Sequence, residues 1–150
     1  DIQAALLFNQ MKKIDKYRKN RLHNYNLINK IFREDEFLNN NINFIKNYNQ
    51  AEISWFNFPI ILKNLKNKKR DIICEKLYKL GIETRPIISG DFSKQKIIKK
   101  KFKGLAKSQF TNADKIHTSG FMLGISSKKI DVKIIIRLAN DIKKVIKEII

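Results

Sequence analysis

The sequence predicts an α/β (α+β) domain in which a short sheet carries helices mainly on one of its faces. Helical and strand-like patterns alternate in the order helix, strand, helix, strand, short helix, strand, helix. A length of 150 residues suits one domain, and a hydrophobic fraction of 43% is enough for a packed core. The sequence shows no apolar run of membrane-spanning length and no signal peptide. We therefore expect no membrane partner.

The first predicted element is one long helix over residues 1–32. Its apolar residues recur at steps of three to five, mostly three and four, as expected for one face of a helix. Asp1 places a negative charge at the helix start, where it suits the helix dipole. Because helices of this length often bridge two structural units, residues 33–150 are expected to form a separate small domain.

A loop and a strand come next. Residues 39–41 are three consecutive asparagines, which is a loop signal. Residues 53–62, ISWFNFPIIL, are rich in aromatic and β-branched side chains and predict a strand. Pro59 cannot donate to a sheet ladder, so it indicates a sheet edge or a bulge.

The stretch LGIETRPIISGDFSKQ carries the functional argument. A helix over residues 70–80 is expected to end at Gly81, because glycine adopts a left-handed backbone most easily. Residues 82–88 then read as a strand, with Pro86 at an edge or a strand end. The Ser-Gly-Asp sequence that follows is typical of a turn.

This strand would bring four polar side chains to one mouth: Arg85, Ser89, Asp91 and Gln95. Polar groups gathered at a strand end form a candidate ligand rim. Arg85 can donate to a phosphate or sugar oxygen. The alternative is that Arg85 is a surface residue that pairs with Glu83 or Glu75.

The remaining pattern is a basic run followed by three elements. Residues 93–107 allow a short amphipathic helix, which would either present a solvated face or bind a membrane or nucleic acid. Thr111 or Asn112 can cap a short helix that runs to Ser119. A strand over residues 121–125 and a helix over residues 131–149 complete the prediction, since that last segment has a clean apolar stripe.

The net charge of +18 raises the possibility of a nucleic-acid partner. However, 26 of the 32 basic residues are lysines, and the chain also holds 26 isoleucines and 16 asparagines. These three residue types share A/T-rich codons, so a biased genome gives the same charge without a partner. Arginine, which suits bidentate phosphate and base contacts, is scarce. The composition therefore disfavours nucleic acid, and a stand-alone basic module that binds a polyanion remains the alternative.

The number and spacing of the cysteine and histidine residues predict no metal site. Cys74 is the single cysteine, which excludes an internal disulfide, and it reads as a small buried side chain rather than a reactive thiol. His23 and His117 show no ligand spacing with Cys74 or with each other. His117 is either a helix-surface residue or a fifth substrate-side candidate near the mouth.

Three segments resemble a known family. ETRPIISGDF followed by SKQ is similar to a conserved segment of the DegT/DnrJ/StrS family, whose members are pyridoxal-phosphate (PLP) enzymes that act on nucleotide-linked keto-sugars. DIQAA at residues 1–5 and NADKIHTSGFMLG at residues 112–124 resemble two other family blocks. The blocks occur in the family's order and spacing and cover nearly the whole chain.

The resemblance implies the C-terminal portion of a sugar aminotransferase or 3-dehydrase of fold type I. The long first helix would link to an N-terminal domain that precedes these residues and binds PLP through a lysine, or that carries the histidine that replaces the lysine in 3-dehydrases. No catalytic, cofactor-binding or metal-binding residue is expected in the chain itself. A nucleotide-sugar substrate, an amino donor such as glutamate for an aminotransferase, and a homodimer are implied as partners.

The chain departs from the family pattern at several positions. Asp91 stands where the family usually has asparagine, which exchanges an amide donor for a carboxylate that only accepts. Lys96 replaces a proline, and Ser126-Ser127 stand where relatives often have His-Pro. The substrate-side candidates that the resemblance implies are Arg85, Ser89, Asp91, Gln95 and His117.

Overall fold

The computed structural model describes residues 2–45, 51, 53–63, 65, 69–88, 90–102, 104 and 110–150. The helices are α1 (Ile2–Met11), α2 (Ile14–Glu34), α3 (Glu36–Asn41), α4 (Lys69–Lys79), α5 (Lys96–Lys101), α6 (Thr111–Ser119) and α7 (Val132–Lys147), with a short 3₁₀ helix at Phe92–Lys94. The strands are β1 (Ile42–Asn43), β2 (Asn57–Leu62), β3 (Thr84–Arg85) and β4 (Gly120–Gly124).

The four strands form one antiparallel sheet in the order β1-β2-β4-β3. Phe58 lies opposite Leu123, and Ile60 lies opposite Phe121. Because side chains alternate along a strand, Phe58, Ile60 and Leu62 are buried while their neighbours are only half-buried. The predicted α+β class with a short sheet is confirmed.

One hydrophobic core joins this buried face of the sheet to the helices. Helices α2, α4 and α7 contribute buried side chains such as Phe32, Ile73 and Ile142, each fully buried. Helix α7 has the apolar stripe that its sequence predicts and begins after Asp131, whose carboxylate accepts from the Lys133 N–H at 2.7 Å. In the described residues, no helix is both long enough and apolar enough to cross a membrane.

The single long helix predicted for residues 1–32 is divided in two. Lys12 and Lys13 form a turn between α1 and α2, where the Lys13 N–H bonds to the Gln10 carbonyl at 2.9 Å. A bond to the third residue back tightens the chain at the end of an α-helix. All of α1 is exposed, whereas α2 buries four side chains, so the core holds only the second helix.

The loop predicted at residues 39–41 is also wrong, because these asparagines belong to α3. The carboxylate of Asp35 caps that helix by accepting from the Leu38 N–H at 3.0 Å. Leu38 is fully buried in the core. Cap and burial together outweigh the low helix preference of asparagine.

Gly81 ends α4 in a left-handed conformation, φ +79°, as its sequence position predicts. The Ile82 N–H returns to the Leu77 carbonyl at 2.9 Å and closes the helix end. The following strand is much shorter than the predicted 82–88. It stops at Arg85, because Pro86 has no N–H to donate and Ile88 has a positive φ of +45°.

Candidate functional site

Strand β3 brings Arg85 to the edge of the sheet beside a cavity of about 520 Å³. Its walls are formed by the start of β2, the end of β4 and the loop that follows it, residues between Gly81 and Arg85, and Leu138 of α7. A cavity of this volume can hold a small molecule. Of the four sequence-predicted candidates that the structure describes, Arg85 is the one that lines this cavity.

The guanidinium of Arg85 is held by its neighbour Glu83. Nε and Nη2 of Arg85 both donate to Oε1 of Glu83, at 3.0 and 2.9 Å. Both side chains are about 70% exposed, so the pair is solvated and worth little to stability. An incoming anion can therefore share or replace Glu83 as the partner of this arginine.

Asp91 is buried, with 4% of its surface exposed. Its Oδ1 accepts from the Ser93 N–H at 3.0 Å and from the Ser93 hydroxyl at 2.6 Å, and so caps the 3₁₀ helix. An asparagine can cap in the same way through its side-chain oxygen. This arrangement explains how the aspartate can stand where the family usually has asparagine without loss of the local fold.

Two contacts join this turn to α6. Lys94 forms an ion pair with Asp114. Gly90, at φ +57°, lies so close to His117 that an added Cβ would meet its Nδ1 at 2.5 Å. Gly90 is therefore required by close approach and by its backbone conformation.

The remaining candidates lie apart from the cavity or outside the described residues. Gln95 is exposed, and its side chain makes no capping bond to α5. Ser89 lies outside the described residues. Asp91, Gln95 and His117 are absent from the cavity lining. The substrate-side role of all five residues stays a prediction.

The cavity also has lining residues that the sequence did not predict as substrate-side candidates. Phe56 is 64% exposed despite its aromatic ring, and Asn57 and Ser126 line the cavity beside it. Alternation along a strand could not have identified Phe56, because it lies two residues before the buried Phe58 and would share its face in a continuous strand. Phe56 is exposed because β2 begins only at Asn57.

A buried asparagine holds the loop that walls the cavity. Nδ2 of Asn24 in α2 donates to the carbonyls of Ser126 and Lys128, at 2.9 and 2.8 Å, and its Oδ1 accepts from the Ile130 N–H at 3.0 Å. Asn20 adds a bond to the Ser127 carbonyl at 2.9 Å. Three satisfied bonds allow Asn24 to be fully buried.

The lone cysteine is not a catalytic candidate. Burial raises the pKa of the Cys74 thiol, and a hydrogen bond with Thr84 offsets this rise only in part. A thiol with a raised pKa stays protonated and is a poor nucleophile at neutral pH.

Comparisons with known proteins agree with this architecture. Two curated relatives are GDP-4-keto-6-deoxy-D-mannose 3-dehydratases, from Yersinia pseudotuberculosis with 29% identity and from Escherichia coli O55:H7 with 27% identity, each over 124 residues. Each alignment includes 83% of this chain and 30% of the relative. The chain thus spans about a third of the length of these curated relatives.

Solved structures share the fold. A GDP-4-keto-6-deoxymannose-3-dehydratase variant with bound GDP-perosamine superposes with a TM-score of 0.73 at 24% identity, over 90% of this chain and 33% of that one. The Escherichia coli enzyme with bound hydrated PLP gives a TM-score of 0.69 at 23% identity, over 92% and 33%. These likenesses confirm the fold expected for the C-terminal portion of a fold-type-I enzyme.

The sequence itself matches one family over residues 1–138, which is most of the chain. The resemblance carried by residues 1–5, 83–95 and 112–124 is therefore confirmed. The chain belongs to the DegT/DnrJ/EryC1/StrS aminotransferase family.

Proposed function

We propose that this chain is the C-terminal, substrate-side part of a PLP-dependent enzyme that acts on a nucleotide-linked keto-sugar, as an aminotransferase or a 3-dehydrase. The family match over residues 1–138 carries the proposal. It is supported by relatives whose names specify a GDP-linked keto-sugar and whose length is about three times that of the matched region.

The cofactor chemistry is assigned to a part of the enzyme outside these residues. Covalent attachment of PLP requires a lysine beside a pocket, and the described residues that line the Arg85 cavity include no lysine. The described residues around this cavity therefore fit a substrate better than the cofactor. When bound, PLP supplies an electron sink for the carbon next to its nitrogen. We infer that this chain alone is inactive.

The contribution of this chain is to bind and orient the substrate. Arg85 offers a guanidinium on the rim of the cavity, where it is held by the exposed carboxylate of Glu83. The excess of positive charge, +18, attracts an anionic nucleotide sugar from a distance. The complete enzyme is proposed to be a cytoplasmic homodimer in deoxy- or amino-sugar and surface-polysaccharide biosynthesis, with glutamate as amino donor if it is an aminotransferase. Family resemblance is the support for these assignments.

The test is Arg85→Ala in the complete enzyme, which contains the cofactor-binding part. Loss of a charge-assisted bond to bound substrate costs about 1.5–3 kcal/mol, so the dissociation constant for a GDP-linked keto-sugar should rise roughly tenfold to a hundredfold. PLP binding, followed by its absorbance, should be unchanged. Arg137→Ala is the matched control, since the Arg137 side chain is 84% exposed and forms an ion pair with Asp141 on the same helix, away from the cavity lining. Equal substrate affinity in parent and Arg85→Ala would show that this arginine is scaffold.

A further inference from the structure

Residues 92–102 form a surface segment in which apolar and basic side chains are both exposed. The segment contains the 3₁₀ helix and α5, and neither helix has a buried residue. Its large apolar side chains Phe92, Ile97 and Phe102 are exposed to 56%, 70% and 47%. Single exposed apolar side chains are common in proteins. Three large ones in so short a segment form a cluster of the kind that marks an interaction site.

The same segment carries a high positive charge. It holds five lysines and no aspartate or glutamate, so every charged side chain in it is positive. Lys94 forms an ion pair with Asp114 of α6. The other four lysines are exposed: Lys96, Lys99, Lys100 and Lys101. Because a six-residue helix is only about 9 Å long, these ammonium groups and the apolar side chains lie within one small area.

The segment is fixed to the domain at its N-terminal end. The buried Asp91 caps the 3₁₀ helix by accepting from the Ser93 N–H at 3.0 Å, and the ion pair of Lys94 joins that helix to α6. Helix α5 closes at Phe102, whose N–H donates to the Ile98 carbonyl at 2.8 Å. Among the described elements, α5 packs chiefly against the 3₁₀ helix. The side chains of α5 are therefore presented to solvent from an ordered base.

A lipid surface with negative charge complements both properties of this segment. Its phosphate groups attract lysines, and the boundary with the acyl chains accepts aromatic and aliphatic side chains. A nucleic acid would complement the lysines, but Ile97, the most exposed of the three apolar side chains, has no ring that could stack on a base. The segment also contains no arginine, the residue that suits bidentate contacts with phosphates and bases.

We propose that the 92–102 segment binds the surface of a membrane that contains anionic phospholipids. Its three exposed apolar side chains lie at the level of the headgroups, and its lysines contact the phosphates. The sequence of residues 93–107 allows a solvated face, a membrane or a nucleic acid, and the exposed apolar side chains favour the membrane. The lack of a membrane-spanning run does not oppose this assignment, because a peripheral protein binds without one. The proposal goes beyond the proposed function, since it requires no substrate.

The experiment is sedimentation of the protein with lipid vesicles. One set of vesicles contains phosphatidylcholine alone, and the other contains phosphatidylcholine and phosphatidylglycerol in equal parts. Both the 150-residue chain and the complete enzyme should sediment with the anionic vesicles and hardly with the neutral ones. Circular dichroism checks that every variant described below is folded.

The first variant removes charge from the segment. Replacement of Lys99, Lys100 and Lys101 together by glutamine should weaken binding to the anionic vesicles roughly tenfold to a hundredfold, since each lysine near such a surface contributes about fivefold. The matched control removes the same charge elsewhere and should weaken binding by less than about threefold, because charges beyond the Debye length are screened. It replaces three exposed lysines of α7 and the loop before it: Lys129, Lys133 and Lys144.

The second variant keeps the charge and removes the apolar side chains. Ile97→Ser combined with Phe102→Ser should weaken binding to the anionic vesicles at least about tenfold, because the headgroup level no longer receives apolar surface. Ile2→Ser combined with Phe8→Ser is the matched control, since it removes the same two exposed residue types from α1. This control should bind the vesicles as the parent does.

Several outcomes would overturn the proposal. Equal losses in the two lysine variants would show that the net charge of +18 binds the vesicles from any side. Unchanged binding in the apolar variant would show that no side chain enters the lipid surface. Absence of binding by the complete enzyme would show that its other parts cover the segment. A single-stranded oligonucleotide that competes the chain off the vesicles, and that the first variant no longer binds, would assign the segment to nucleic acid.

Discussion

Replacement of Asn24 should destabilise the domain by removing the clamp on the loop that walls the cavity. Asn24→Ala deletes three hydrogen bonds of 2.8–3.0 Å to the loop backbone. Each is worth about 1 kcal/mol net. The higher helix preference of alanine offsets about 0.7 kcal/mol of this loss of stability. The free energy of unfolding should therefore fall by about 2 kcal/mol, and Tm by about 4–8 °C for a chain of this size.

The assay is urea unfolding at neutral pH, followed by the fluorescence of the single tryptophan, Trp55. Asn26→Ala is the matched control, since Asn26 lies two residues further along α2 and is exposed. Its stability should change by less than about 0.5 kcal/mol. Asn24→Asp should be worse than Asn24→Ala, because a carboxylate would face the Ser126 and Lys128 carbonyls.

Two results would contradict a stabilising role for Asn24. Asn24→Ala could match Asn26→Ala within about 0.5 kcal/mol, which would mean that the loop backbone finds water at no cost. Asn24→Asp could be more stable than Asn24→Ala, which would contradict the assignment of Nδ2 as the donor to both carbonyls.

Three further predictions concern pH, cofactor and charge. Burial works to raise the pKa of Asp35, but the Lys143 ammonium at 2.6 Å and the Leu38 N–H outweigh burial and lower that pKa. This stabilisation is complete above the unfolded-state pKa of about 3.9 and is lost as pH falls through the lower folded-state pKa. Asp35→Asn, which keeps the helix cap, should thus lose about 1 kcal/mol at pH 7 and almost nothing at pH 2, as measured by urea unfolding. Mixing the chain with PLP and reducing with borohydride should give only scattered labelling of its 26 lysines, as read by peptide mass spectrometry, and stoichiometric labelling of one lysine would contradict the assignment of the cofactor to another part of the enzyme. DNA binding should be nonspecific, with Kd in the range of roughly 10⁻⁴ to 10⁻⁶ M at physiological salt, and a sequence-specific nanomolar complex would favour the polyanion-binding alternative.

Short-range sequence patterns predict much of the fold. The apolar stripe of α7 depends on a periodicity of 3.6 residues, which is a property of one helix and its own sequence. Gly81 could be placed because a left-handed helix end favours glycine wherever it occurs. Strand β2 was recognised by its β-branched and aromatic run, although it begins at Asn57 rather than at residue 53.

Errors arose where a helix cap, burial in the core or contacts with distant parts of the chain outweighed the preferences of single residues. Residues 39–41 form a helix because Asp35 caps it and Leu38 is buried beneath it, and asparagine preference alone indicates the opposite. The burial of Asn24 depends on a loop more than 100 residues away, so no pattern within α2 could reveal it.

The candidate site divides in the same way. The family segment around Arg85 can be recognised from sequence because its residues are consecutive in the chain. Arg85 lines the cavity. Phe56, Glu83 and Ser126 could not be grouped from sequence, since a cavity wall is made where separate segments meet in space. The sequence alone therefore determined the family, the end of α4 at Gly81 and the apolar stripe of α7. Only the tertiary structure decided which exposed side chains share one cavity, because that depends on packing between elements and not on preferences within them.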